Sequence, residues 1–134
     1  MPRYVIGADV ALELGLGAVR PGRGAQLLAP TLLRSELLSL LYRCTRAGQV
    51  SREEAQACFD HVRSLRIRVL GDRVLLRAAW DVAERMSWED TGTAEYVALT
   101  RLQADAFVTL DAEVARQAAQ EVRVATLEEL LGAR

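Results

Sequence analysis

The chain has 134 residues, of which 51% are hydrophobic and 26% are charged, and this favours one globular domain spanning residues 1–134. Its formal net charge of −1 excludes a general electrostatic attraction to nucleic acid or membranes, so any nucleic-acid binding requires a local patch. There is no apolar run of about 18 residues and no signal-peptide pattern, which predicts a cytoplasmic protein without a transmembrane helix.

The first part of the chain predicts two short strands separated by a helix and a loop. Tyr4–Gly7 is an apolar strand, and Asp9 lies just past its end. Val10–Leu16 has the length of about two helical turns. Glycines then cluster in a loop before Gln26–Ala29, a second apolar segment that favours a brief strand.

Two amphipathic helices follow. The stronger one begins at Pro30-Thr31 and ends at Gly48, and the next begins with a capping box at Ser51–Glu54. The predicted inner faces are Leu33, Leu37, Leu40, Leu41 and Cys44 on the first helix, and Ala55, Cys58, Phe59 and Val62 on the second. We interpret the two cysteines as small buried hydrophobes rather than as a disulfide or a metal pair.

The rest of the chain again alternates between strands and helices. Ile67–Leu70 predicts a strand, and Asp72 caps a helix that runs to about Met86. The predicted inner face of that helix is Leu76, Ala79, Trp80 and Ala83. A polar connection at Ser87–Gly92 leads to a helix over Thr93–Leu102, with Ala94, Val97, Ala98 and Leu102 at helical spacing. The last elements are a strand at Ala106–Leu110, a helix at Asp111–Gln120, a strand at Val122–Ala125 and a final turn with a capping box at Thr126–Glu129.

This order predicts an α/β fold with a mainly parallel sheet and helices on both faces. Ligands of such sheets bind outside the carboxyl ends of the strands. Asp9 and Asp111 each follow a strand directly, and Glu36 borders the apolar stripe of its helix. Each acid also has a purely structural interpretation. Asp9 and Asp111 could be helix N-caps, and Glu36 could pair with a nearby arginine such as Arg34 or Arg43.

Acids that meet at one edge indicate a metal site, because carboxylates repel one another unless a cation neutralises them. His61 is the single histidine and is predicted on a helix surface, which disfavours a zinc site or a His-based triad. Oxygen ligands without His or Cys point to Mg²⁺ or Mn²⁺. Such clusters support phosphodiester hydrolysis, since the metal activates water and stabilises charge on the reacting oxygens.

Three stretches in order resemble the PIN-domain family, and specifically the VapC-type toxins of bacterial toxin–antitoxin pairs. VIGADVALEL is similar to the family's opening strand with its first acid, here Asp9. LLAPTLLRSELLSLLYR is similar to the second segment, with the second acid at Glu36. TAEYVALTRLQADAFVTLD is similar to the closing helix and strand, with the final acid at Asp111. The resemblance covers nearly the whole chain.

The resemblance implies a three-layer α/β/α sandwich and an Mg²⁺- or Mn²⁺-dependent endoribonuclease. It also implies an RNA substrate, a homodimer and inhibition by a cognate antitoxin protein. The helices Thr31–Arg46 and Ser51–Leu65 could form a groove for an amphipathic segment of the antitoxin, or simply belong to the core.

The chain departs from the family pattern at Thr93, where a third acid is expected. Helical geometry favours Asp90 as the substitute, since it precedes Thr93 by three residues, or roughly 60° around a helix. Glu95 follows Thr93 by two residues, or roughly 200° around the helix, and is expected to point away from the site. Asp90 could equally be a helix N-cap. We expect Asp9, Glu36, Asp90 and Asp111 to hold the metal and Thr93 to orient a water or a phosphate oxygen.

The substitution at Thr93 also motivates an alternative, a catalytically weakened PIN-like module that binds RNA or protein. A receiver-like domain is disfavoured, because it needs a lysine near its acidic pocket and the chain has no lysine. Contacts to RNA phosphates are expected from arginines near the groove, with Arg20, Arg23 and Arg34 as candidates.

Overall fold

Five short strands and seven helices alternate along the chain in a computed structural model that describes residues 1–134. The strands are β1 (Arg3–Ile6), β2 (Gln26–Pro30), β3 (Arg68–Leu70), β4 (Ala106–Val108) and β5 (Val124–Ala125). The helices are α1 (Ala8–Leu16), α2 (Leu32–Arg46), α3 (Arg52–Ser64), α4 (Arg73–Met86), α5 (Gly92–Gln103), α6 (Ala112–Ala118) and α7 (Leu127–Leu131).

All strand pairs are parallel, and their order in the sheet is β3-β2-β1-β4-β5. The centre of the sheet is β1, where Val5 lies opposite Leu28 of β2 on one side and Phe107 of β4 on the other. Strands β2 and β3 are therefore added on one side of β1, and β4 and β5 are added on the other side. This reversal places a crevice at the carboxyl ends of β1 and β4.

Two apolar cores lie on opposite faces of the sheet, because side chains alternate along each strand. Ile6 and Val108 face a core shared with α1, α2, α3 and α7, whereas Val5 and Phe107 face a core shared with α4, α5 and α6. The arrangement is a three-layer α/β/α sandwich, which confirms the predicted fold class. Strands that are buried on both faces also explain their continuous apolar runs.

Local signals at the helix starts are largely confirmed. Ser51 forms the expected capping box with Glu54, and Asp72 accepts a hydrogen bond of 2.9 Å from the Leu75 amide. At α7 only half of the predicted capping box forms. The Thr126 hydroxyl accepts from the Glu129 amide at 3.0 Å, but the Glu129 carboxylate bonds to Tyr4 and Arg123 instead.

The predicted inner face of α4 is partly wrong. Leu76 and Trp80 are 53% and 65% exposed, and the buried residues are Leu75, Ala79, Val82 and Ala83. Both sets satisfy helical spacing, because apolar residues occupy neighbouring positions along this helix. Packing of α4 against α5 selects the second set. On α5, Leu102 is likewise exposed rather than buried.

Of the two cysteines predicted to be buried, Cys58 is buried and Cys44 is only half-buried. Cys44 and Cys58 are both free thiols, and burial is the main reason that the pKa of Cys58 is raised. His61 is half-buried on α3 rather than fully exposed, with its Nε2 atom 2.8 Å from the Val19 carbonyl oxygen. None of the seven helices combines the length and apolar character needed to cross a bilayer.

Candidate functional site

A cavity of about 750 Å³ opens at the carboxyl ends of β1 and β4, where the strand order reverses. The residues singled out from the sequence all line it, namely Asp9, Glu36, Asp90, Thr93 and Asp111. They come from α1, α2, α5 and the segments that precede α5 and α6. Tertiary structure thus brings residues that are up to 102 positions apart in the chain to one cavity.

Asp9 lies in the first turn of α1 and is held by three hydrogen bonds. The N-cap of α1 is Gly7, so the predicted capping role of Asp9 is wrong. Its Oδ1 accepts from the Val10 amide at 2.8 Å, and its Oδ2 accepts from the Thr109 hydroxyl at 3.0 Å and from the Leu110 amide at 2.8 Å. Asp9 is therefore fixed against the loop that follows β4.

Asp111 does act as the N-cap of α6, as its structural interpretation predicted. Its Oδ1 accepts from the amides of Glu113 at 2.9 Å and Val114 at 3.1 Å, while Oδ2 has no protein donor. Thr109 connects the two aspartates, because its hydroxyl donates to Asp9 and accepts from the Asp111 amide at 3.2 Å. Capping leaves one oxygen of Asp111 free for another ligand.

Glu36 is half-buried on α2 and accepts a hydrogen bond from the Tyr96 hydroxyl of α5. Its predicted arginine partner is absent, since no ion pair involves Glu36. Tyr96 is 5% exposed and stacks on Phe107 with ring centroids 5.6 Å apart. Burial and the bond to Glu36 raise the pKa of Tyr96 well above its ordinary range, so Tyr96 stays a neutral donor.

Two further acids lie near Thr93. Helix α5 begins at Gly92, so Asp90 lies outside the helix, is exposed, and accepts at Oδ1 from the Gly92 amide at 3.1 Å. Glu95 lines the cavity and is half-buried, so the prediction that it points away is wrong. Burial first, and the charge of Glu36 second, raise the pKa of Glu95 above its ordinary value of 4.5.

A comparison with solved structures finds a similar architecture. The crystal structure of PAE2754 from Pyrobaculum aerophilum matches with a TM-score of 0.68 over 97% of this chain and 93% of that chain, at 18% sequence identity. The two chains share a fold. No family model and no curated protein matches the sequence.

The donor set fits a hard divalent cation bound partly through water. No group of three or more His, Cys, Asp or Glu side chains is arranged to bind one ion directly. The five acids that line the cavity offer carboxylate oxygens only, and the cavity has room for water between them. Mg²⁺ usually keeps several waters and takes one or two carboxylates, so a donor set made only of oxygens is chemically suited to a hydrated ion.

Several residues of the site were missed by sequence reasoning. Tyr96, Thr109 and Arg43 all line the cavity, and Arg43 is the only basic side chain that does. By contrast, none of the three predicted arginines reaches the cavity, and Arg20 instead donates to the Ser64 hydroxyl at 3.0 Å. A usable signal for Arg43 was its spacing, because it follows Glu36 by two helical turns on the same face.

Proposed function

We propose that this chain is a metal-dependent endoribonuclease of the PIN type, the toxin component of a toxin–antitoxin pair. The observation that carries the proposal is five carboxylates and one arginine around a single cavity at the reversal of the strand order. Such an excess of negative charge favours cation binding. The resemblance of the three acid-bearing segments to VapC-type toxins supports the same function.

Asp9, Glu36 and Asp111 would hold Mg²⁺ or Mn²⁺, directly or through water. The fourth carboxylate would be Asp90, as predicted from the sequence, or Glu95, which lines the same cavity. When bound, the metal would supply a nucleophilic water at neutral pH and neutralise charge on the reacting phosphate. The chain's own residues position this set: Thr109 fixes Asp9, and Tyr96 fixes Glu36. The Thr93 hydroxyl would orient a water or a phosphate oxygen.

The test is cleavage of total RNA by the purified chain with Mg²⁺ or Mn²⁺ and with EDTA. We expect cleavage that depends on the divalent ion and falls at least roughly 100-fold in Asp9→Asn, since even outer-shell residues of metal sites contribute 10–100-fold. Asp81→Asn is the matched control, because Asp81 is an exposed aspartate of α4 that does not line the cavity. Equal cleavage by Asp9→Asn and the wild type would exclude the acidic site as the catalyst.

A second candidate is a PIN-like module that binds RNA or protein without cutting it. It is favoured by Thr93 in place of an acid and by the structural hydrogen bonds of Asp9 and Asp111. It is also favoured by the lack of three acids that could share one ion directly. This candidate would be favoured if the chain bound RNA but neither cleaved it nor bound a divalent ion in the same experiment.

The proposed protein partners have separate surfaces. A shallow apolar depression of about 290 Å³ between α2, α3 and β3 suits an amphipathic antitoxin segment. Arg34 and Arg66 border it without an ion pair, so the segment should be acidic. The exposed Leu76 and Trp80 of α4 would suit a second copy of the chain. A small DNA-binding protein encoded beside this chain is the expected antitoxin.

A further inference from the structure

Helix α2 carries a surface that runs from the acidic cavity toward solvent. Ser39 and Arg43 follow Glu36 by three and seven residues and line the cavity with it. Both also line a shallow depression of about 410 Å³ whose other residues are Leu38 and Tyr42. The cavity and the depression therefore adjoin at Ser39 and Arg43, and Arg43 lies about 10 Å along the helix axis from Glu36.

The charge of this surface differs from that of the whole chain. Although the net charge is −1, α2 contains three arginines and a single acid, Glu36. Arg43 is exposed and makes no ion pair. A free guanidinium beside a cavity rich in carboxylates is a site for an anion that approaches the cavity, and a guanidinium binds phosphate well.

Tyr42 and Leu38 add an exposed apolar platform next to Arg43. Tyr42 is 62% exposed and Leu38 is 58% exposed, and they lie one helical turn apart on the same face. The Tyr42 hydroxyl makes no hydrogen bond within the chain, so nothing in the fold holds this ring or covers it. An uncovered aromatic ring beside a cation is the combination that binds an unstacked base and its phosphate.

We propose that Tyr42 and Arg43 form a subsite for single-stranded RNA, in which a base stacks on Tyr42 and a phosphate binds Arg43. This inference rests on the proposed function, because it takes the strand in the cavity to be RNA. A strand with one phosphate among the acids would run along α2 and place a neighbouring nucleotide on this surface. Bases inside a duplex are stacked on each other and cannot reach the ring, so the subsite selects single strands.

The experiment measures binding rather than cleavage, by fluorescence anisotropy of a short labelled RNA of mixed sequence in Mg²⁺. Every variant is made in the Asp9→Asn background, so that the divalent ion can be present while the RNA is not cut. The same RNA annealed to its complement is the second probe. We expect Tyr42→Ala to bind the single strand roughly 5- to 150-fold more weakly, which is the effect of one base–aromatic stack. Tyr42→Phe should bind like the protein that retains Tyr42. Val74→Ala is the control for an exposed apolar residue, because Val74 is 64% exposed on α4, which packs on the opposite face of the sheet from α2.

Arg43→Ala has its own signature. The slope of log affinity against log salt concentration should fall by about 0.7, the value for one phosphate contact to a single strand. Arg77→Ala is the control, because Arg77 is an exposed arginine of α4 and does not line the cavity. It should leave the slope of log affinity against log salt concentration unchanged. Unfolding temperatures of all variants check that the fold is intact, as expected for substitutions at exposed positions.

Several results would overturn the proposal: no binding of single-stranded RNA, equal affinity for the duplex, or unchanged affinity in Tyr42→Ala. A change in self-association of Tyr42→Ala without a change in RNA affinity would also overturn it and identify a protein interface. The failure of this proposal can be distinguished from the failure of the proposed nuclease function. If the protein cleaves RNA but Tyr42→Ala binds RNA normally, only the subsite proposal is rejected. If binding depends on Tyr42 but no RNA is cleaved, only the proposed nuclease activity is rejected.

Discussion

At the scale of single residues, Glu95 is a cavity acid whose pKa is raised, mainly by burial. It lies in the first turn of α5, lines the same cavity as Glu36, and is half-buried. Asp90 is exposed and its Oδ1 already accepts from the backbone. Glu95 is therefore the stronger candidate for the negative charge that Thr93 does not supply.

We predict that Glu95→Gln reduces divalent-ion affinity and RNA cleavage more than Asp90→Asn does. The same substitution should stabilise the fold at neutral pH, because the raised pKa shows that the folded state disfavours the charged form of Glu95. This gain is fully present above the raised pKa and is lost as the pH falls to the ordinary value of 4.5 and below, where both states are protonated.

Urea unfolding at several pH values measures the stability, and a manganese titration measures the affinity. Glu89→Gln is the control, because Glu89 is exposed on the connection before α5. A gain in stability that persists at acidic pH would contradict the electrostatic explanation. A larger loss of cleavage in Asp90→Asn would restore Asp90 as the substitute acid.

At the scale of elements, the site depends on contacts that join different layers of the molecule. The Tyr96 hydroxyl joins α5 to α2 through Glu36, and the Thr109 hydroxyl joins the segment after β4 to α1 through Asp9. Each hydroxyl holds a carboxylate that borders the cavity, so the packing of these elements determines where the acids lie.

We predict that Tyr96→Phe lowers the free energy of unfolding by about 1.5–3 kcal/mol, because a hydrogen bond to a charged group is lost while the ring still packs. Manganese affinity should fall about 10- to 100-fold, since Glu36 loses the group that orients it. Tyr4→Phe is a matched control: its buried hydroxyl donates to Glu129 at 3.0 Å, and neither residue lines the cavity. Equal losses of manganese affinity in both variants would show a general loss of stability rather than positioning.

At the scale of the whole molecule, the sandwich brings five acids to one cavity at one edge of the sheet. Their mutual repulsion acts against folding, and a cation that binds the folded state relieves it. Divalent ions should therefore stabilise the folded state, even though the net charge of the whole chain is close to zero.

We predict that Mn²⁺ or Mg²⁺ raises the unfolding temperature of the wild type by about 10 °C at a concentration about 100 times the dissociation constant, where linkage contributes about 2.7 kcal/mol. Potassium chloride at the same ionic strength should have little effect. Asp9→Asn should reduce the shift, and the measurement is thermal unfolding followed by circular dichroism. An equal shift in Asp9→Asn would place the ion elsewhere on the protein.

Much of this fold was predictable because the signals are local. Strand–helix alternation indicated the α/β sandwich, and the caps at Ser51 and Asp72 were read from neighbouring residues. Candidate acids at Asp9 and Asp111 followed from their position just after a strand. Such signals depend on backbone geometry over a few residues, and the sequence contains them in full.

Only the tertiary structure decided which side of each helix faces inward and which acids share the cavity. Leu76 and Trp80 fit the apolar spacing of α4 as well as the residues that are buried, and packing on α5 excluded them. Glu95 lines the cavity because α5 begins at Gly92 and is oriented by its contacts with the sheet. Arg43, Thr109 and Tyr96 join the site through folding, since distances between elements are set by packing across the whole molecule rather than by spacing along the chain.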